Sequence, residues 1–280
     1  MHLSALIADN WRMDGGVAFG VVPKSLWSRQ HQADDNNTIA ITTRCLLVQD
    51  SQRNLLIDVG LGNKRNEKYY AVRYRQPDID ILKSLSLIGL SANNITDILF
   101  THLHDDHVGA ATRLNPQGQA ECVFPNASYW VSQTQWDWAI NPNKREGAAF
   151  FTDNLLPLSA SGRLHLLREG NQPFDNITLR MFNGHTHGQL IPFIHLADRT
   201  LVYMADFIPT KSNIPLPFIP AVDIEPLISL IEKENFLTEA AANNYILFFE
   251  HDPLNECCTL TQSDKGVIAD KSFTLSELIS

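Results

Sequence analysis

Residues 99–110, LFTHLHDDHVGA, bring His102, His104, Asp105, Asp106 and His107 together immediately after an apolar run. Burying a polar group without a partner costs roughly 2–7 kcal/mol, so side chains this dense cannot simply be absorbed into a core. Any fold that accommodates them must end a buried strand here and open it onto a site where other groups, or a cation, meet them. In an extended His102-Leu103-His104 the two imidazoles share one side of the chain, while Leu103 turns back into the core. Asp106 and His107 come after the chain bends toward Val108-Gly109-Ala110, and can face a second ion.

Three more apolar runs end in the same way: ITLRMFNG leads into His185, TLVYMA into Asp206 and YILFFE into His251. Sites in open α/β sheets form beyond the carboxyl ends of strands, so the four ends can converge on one crevice. Imidazole suits zinc, iron, nickel and similar borderline metals, and a carboxylate can bridge two of them. His187, in GHTHGQ, reads as a residue beside the ligands rather than one of them. His2, His31, His165 and His195 read as structural or surface residues.

TIAITTRCLLVQD and RNLLIDVG read as the strands of a hairpin turned by Asp50-Ser51-Gln52-Arg53, and IDILKSLSLIGL has helical spacing before Gly89. ITDILF, ASYWVS, ITLRMF, LIPFIHL, TLVYMA and YILFF are short β-rich runs, whereas QTQWDWAI and EPLISLIEKENFLTEAAA are helical in pattern. This interleaving predicts an α+β fold of the α/β type, with the Pro-rich residues 209–220 as a loop packed near the site.

With 280 residues, 44% of them hydrophobic, and no break in composition, a single domain over 1–280 is expected, residues 1–37 forming an N-terminal extension that packs on or near the site. The 22 basic against 31 acidic residues, and the lack of any Lys/Arg run beyond a pair, disfavour nucleic acid as a partner. No secretion signal is visible and no apolar run approaches the roughly 18 residues of a membrane span, so a cytoplasmic protein with no membrane partner is expected. Cys45, Cys122, Cys257 and Cys258 show no CxxC spacing and read as free thiols.

THLHDDH resembles the HxHxDH signature of the metallo-β-lactamase-fold hydrolases, and GHTHG, YMADF and FEHDP resemble their later motifs in the same order. The resemblance runs from NLLIDVGLG to FEHDP, residues 54–253. It implies a four-layer αβ/βα sandwich of two mixed β-sheets flanked by helices, with a dinuclear metal site at one edge. Carried over, the first ion takes His102, His104 and His185, the second takes Asp106, His107 and His251, and Asp206 bridges both. Asp58 matches the family's Asp below the site, an acceptor that orients a ligand loop; from the residues alone it reads equally as a strand-end turn residue.

Branches of the family separate by chemistry. The best-known zinc β-lactamases place a Cys where Asp206 stands, and flavodiiron proteins place a carboxylate where His104 stands. Nucleic-acid-processing branches carry modules not found here, and the basic residues of glyoxalase II near the C-terminus are not apparent. The remaining resemblance is to the lactonase and methyl-parathion-hydrolase-like branch, although Gln189 ends GHTHGQ where that motif more commonly ends in His. DGGVAFGVVPKSLW, residues 14–27, resembles the segment preceding the first strands of that branch; it reads either as a cover for the pocket or second-subunit contact, or as a packed ribbon.

The implied activity is hydrolysis of an ester, lactone or organophosphate by a hydroxide shared between two divalent ions, zinc first, with iron or manganese as alternatives. Asp106 would serve as the catalytic residue, handling the nucleophile's proton besides ligating. No GxSxG motif offers a serine nucleophile. The expected partners are a small-molecule substrate and a second copy of the chain in a homodimer. A glyoxalase II-like thioesterase and a non-catalytic metal-binding domain are the alternative readings. Phe19, Trp27, Trp136, Trp138, Phe207 and Phe218 are candidates for an apolar pocket wall, each also readable as core.

Overall fold

The β-branched and aromatic runs all become strands. In chain order these are β1 (His2–Asp14), β2 (Thr38–Gln49), β3 (Asn54–Ile57), β4 (Asp97–Leu99), β5 (Thr112–Leu114), β6 (Ala120–Cys122), β7 (Ser128–Ser132), β8 (Leu164–Leu167), β9 (Ile177–Phe182), β10 (Gln189–His195), β11 (Thr200–Tyr203), β12 (Ile246–Phe248), β13 (Cys257–Ser263) and β14 (Gly266–Phe273). The structure is a computed structural model and describes residues 1–279. The chain divides into two compact units, Met1–Asn10 with Thr43–Asn171, and Trp11–Thr42 with Gln172–Ser280.

The first unit is built on a sheet of order β1-β2-β3-β4-β7-β8. β2 and β3 form the expected antiparallel hairpin, with Leu46 opposite Ile57. β3, β4, β7 and β8 then run parallel. Parallel strands are covered on both faces, which is why they read as near-continuous apolar runs: Leu56, Ile98, Phe100, Tyr129 and Val131 lie in one buried cluster with Ile81 and Leu85 of the helix Ile81–Leu87. Asp80 caps that helix through the Lys83 amide. Because β3 and β4 point the same way, Asp58 and residues 101–107 emerge at the same edge. Gly109 lets the two exits approach, since a Cβ there would lie 2.2 Å from the Leu61 carbonyl oxygen.

The second unit carries a sheet of order β14-β13-β12-β11-β10-β9. β11 and β12 are parallel, and β10 is antiparallel to both β9 and β11. β9, β11 and β12 therefore share one direction, and their carboxyl ends, followed by His185, Asp206 and His251, lie at one edge. The helix Pro226–Ala242 buries Phe236, whose ring meets Phe182, Phe193 and Phe207. The ribbon of residues 14–27 is packed within this unit: Asp14 caps a short helix, Phe19 stacks on Trp27 at 5.3 Å, and Phe218 of the Pro-rich loop meets Phe19 at 6.1 Å.

That packing corrects the pocket-wall reading for most of its candidates. Phe19, Trp27, Trp136 and Phe207 are all buried core residues, Trp136 in the first unit's cluster and Phe207 against Phe182 and Phe236 in the second. Trp138 and Phe218 are half-buried. Cys45, Cys257 and Cys258 are buried, Cys122 half-buried, and all are free thiols. Among the described residues no helix is long and apolar enough to cross a membrane.

Lys233 anchors the Pro-rich loop from beneath. It is 3% exposed, and its ammonium donates to the carbonyls of Asn213, Pro215 and Phe218 at 2.9, 3.0 and 3.1 Å. Burial pushes its pKa down to about 8. Lys233→Met leaves three carbonyls without this donor; at roughly 1–3 kcal/mol for each unsatisfied group, urea unfolding should show a loss of about 3 kcal/mol or more.

Candidate metal centre

In the first unit the ligand-type side chains are ordered from behind. Asp58, fully buried and held at φ +56°, accepts from the Thr101 amide at 2.8 Å and the Thr101 hydroxyl at 2.6 Å. The Thr101 hydroxyl, its proton given to Asp58, accepts from His102 Nδ1 at 3.0 Å. Asp58 Oδ2 also lies 3.0 Å from His107 Nδ1 and accepts its proton. Both imidazoles are thereby fixed as tautomers with bare Nε2 lone pairs.

His104 is set the other way round. Its Nε2 lies 2.8 Å from Glu146 Oε1, which leaves Nδ1 as the lone-pair nitrogen. Glu146 is itself buried and accepts from Trp138 Nε1 at 2.7 Å and Asn143 Nδ2 at 3.1 Å. The result is that His102 Nε2 and His104 Nδ1 face each other at 3.0 Å. Two nitrogens about 2.0–2.1 Å from a tetrahedral ion stand roughly 3.3 Å apart, so this pair fits the grip of a single cation. His107 adds its ring 3.9 Å from that of His102, with Asp106 Oδ1 3.7 Å from His107 Nε2. Leu103 is fully buried in the core, as the alternation requires.

The second unit repeats the principle. His185 Nδ1 donates to Asp223 Oδ1 at 2.9 Å, and Asp223 Oδ2 accepts from Ser229 at 2.6 Å. His251 Nδ1 donates to the Thr42 carbonyl at 2.8 Å. The Nε2 atoms of the two imidazoles then converge on Asp206, 3.1 Å from Oδ2 for His185 and 2.8 Å from Oδ1 for His251. Each histidine thus faces its own oxygen of Asp206. Burial opposes a charged His185, but Asp206 and Asp223 outweigh it and lift its pKa to about 10. A pocket that demands positive charge on an imidazole suits a divalent ion, given these nitrogen and oxygen donors.

A family model described as the metallo-beta-lactamase superfamily matches residues 40–121. A solved structure of a probable metal-dependent hydrolase from Staphylococcus aureus is 30% identical, with a TM-score of 0.87 over 98% of this chain and 98% of that one. The chain belongs to the metallo-β-lactamase superfamily. Its mixed αβ architecture is that of the superfamily's fold. Two further structures share it: AidC, a dizinc quorum-quenching lactonase, at 23% identity and TM-score 0.80 over 97% and 95% of the chains, and the hydrolase AbOPH at 19% and 0.79 over 97% and 94%. No curated protein matches the chain by sequence.

Within this superfamily member the structure brings His102, His104, Asp106 and His107 together in the first unit, and His185, Asp206 and His251 in the second. His187 stands apart, a third exposed and 3.9 Å from Glu225, and belongs to no metal-ligating group among the described residues. His31 packs on Phe19, His165 stacks on Trp130, His195 meets Thr178, and His2 is exposed beside Ser4. Sequence reasoning missed Glu146 and Asp223. Glu146 sits in NPNKREG, far from any ligand motif, and carries no local signal. Asp223 could have been sought as a lone acid in the apolar stretch PAVDIEP that leads into a helix.

Carboxylates behind ligating histidines typically contribute about 10–100-fold in metal affinity. Glu146→Gln and Asp58→Asn should each weaken zinc binding by that order, measured by chelator competition, with circular dichroism unchanged.

Proposed function

We propose that this chain is a dinuclear metal-dependent hydrolase of small-molecule esters, with lactones foremost. His102, His104 and His185 are assigned to one ion, Asp106, His107 and His251 to a second, and Asp206 to both, the two units working as one catalytic domain over residues 1–280. The observation that carries this reading is the orientation of the imidazoles: each histidine has its far nitrogen held by an acceptor, so that the near nitrogen is the one turned to the site and free to give up its proton to an incoming cation. The order of the motifs supports the pairing of the two sets.

Two divalent cations, zinc in this proposal, would supply a hydroxide near neutral pH and polarise the scissile carbonyl. The protein's own part is to hold the ligands rigid and to manage protons. Asp106, partly exposed, is placed to accept the nucleophile's proton and return it to the departing alkoxide. Asp58, Glu146 and Asp223 keep the imidazoles in one tautomer through the cycle. The lactone preference is drawn from the likeness to AidC and from the absence of a cysteine at Asp206, and a small-molecule substrate suits the acidic balance of the chain.

Elemental analysis of purified protein should return about two metals per chain. An acyl-homoserine lactone, a p-nitrophenyl ester, paraoxon, a phosphodiester and S-lactoylglutathione then separate lactonase, phosphotriesterase and thioesterase. Chelation should abolish turnover and zinc restore it, while Asp206→Ala should lose metal and activity together. Full turnover in chelator, or less than one metal per chain after reconstitution, overturns the reading.

A further inference from the structure

Residues 63–76, between the exit of β3 and the helix Ile81–Leu87, form an arginine–aromatic ladder in the first unit. Arg65 lies over Phe151 at 4.0 Å, Arg73 over Tyr69 at 3.9 Å and Arg75 over Tyr70 at 4.8 Å. The rings pack on one another, Tyr69 edge-on to Tyr70 at 5.2 Å and to Phe151 at 6.0 Å. Stacking holds each guanidinium flat and fixes the direction of its fork of donors.

The three arginines differ in what they hold. Arg65 is paired with Asp153, and Arg75 with buried Asp9. Arg73 has a carboxylate oxygen, Asp105 Oδ2, at 4.0 Å, beyond hydrogen-bond reach, and one of its N–H groups donates to the Tyr69 carbonyl at 3.4 Å. A guanidinium has five N–H donors, so its fork keeps capacity for a planar oxyanion. It is also 29% exposed, and the charge of Asp106 supports it against burial.

We propose that Arg73 is a specificity-determining residue that anchors an oxyanion, a carboxylate or phosphate, on the non-reacting part of the substrate. This rests on the hydrolase reading above and sharpens it: the preferred ester or lactone carries a negative charge remote from the bond that is cleaved. The role is positioning, with no covalent step.

The test compares the metal-loaded wild type with Arg73→Met, which keeps length and contact with Tyr69, and Arg73→Lys, which restores charge without the fork. The substrates are p-nitrophenyl butyrate and p-nitrophenyl hemiglutarate, matched except for the carboxylate. Wild type should favour the hemiglutarate, and the ratio of kcat/KM for hemiglutarate over butyrate should fall at least tenfold in Arg73→Met, mostly through KM, with partial recovery in Arg73→Lys. Calorimetric binding of glutarate and of inorganic phosphate to the same metal-loaded proteins reads the anion site even if neither ester turns over, and says which oxyanion is preferred. A tenfold loss of binding in Arg73→Met supports the anchor. An unchanged substrate ratio with equal anion binding overturns it, and leaves the hydrolase reading to stand or fall on its own metal and turnover data.

Discussion

Everything at the candidate metal centre depends on what happens at the nitrogen that a metal would not see. An imidazole left to itself exchanges tautomers and rotates; each of the candidate histidines is denied both freedoms by an acceptor at its far side. The acceptors are diverse: a carboxylate acting directly, a carboxylate acting through a threonine hydroxyl, and a backbone carbonyl. The effect is uniform, a chosen ring nitrogen turned inward. A buried carboxylate is expensive to desolvate, and Asp58 offsets that with two donors from Thr101 and one from His107. These interactions therefore serve stability and site geometry together.

Strand direction explains why so few motifs can assemble such a centre. In the first unit parallel β3 and β4 deliver Asp58 and the HLHDDH turn to one edge. In the second, two antiparallel steps restore the direction of β9, so that it exits beside β11 and β12. Within each unit, side chains about 50 to 65 positions apart can thus occupy one edge of its sheet, because strand direction does the measuring.

Much of this was legible in the chain. The strands leading into His102, Asp206 and His251 are buried almost throughout, and β9, leading into His185, keeps its apolar residues Ile177, Leu179 and Met181 on alternate positions, so composition marks all four. The hairpin of β2 and β3 and the helices Gln133–Ile140 and Pro226–Ala242 follow from pattern. What escaped did so for physical reasons. β13 and β14 form a half-exposed ladder in which polar residues predominate, so TLTQSDKGVIADK offers too few apolar positions to announce its strands. The helix Thr152–Ala160 holds Pro157 in its interior, which argues against a helix locally and is overridden by packing of Leu155 and Leu158. Phe19, Trp27, Trp136 and Phe207, candidates for a pocket wall by sequence, are buried core, because periodicity shows which side chains are apolar, not which void they fill. Glu146 was invisible for a simpler reason: nothing in a sequence announces which distant acid will stand behind a histidine.

The bond from His251 to the Thr42 carbonyl spans 209 positions of sequence. During synthesis, then, β2 is made long before the residue that its Thr42 carbonyl holds. A nascent chain that ends before that residue can form the first unit's parallel strands and present its histidines, but the imidazole at 251 has neither been added nor aimed. The candidate centre's last imidazole support is thus ordered only after the chain has grown 209 residues past Thr42, which makes this contact a late one in folding as well as a distant one in sequence.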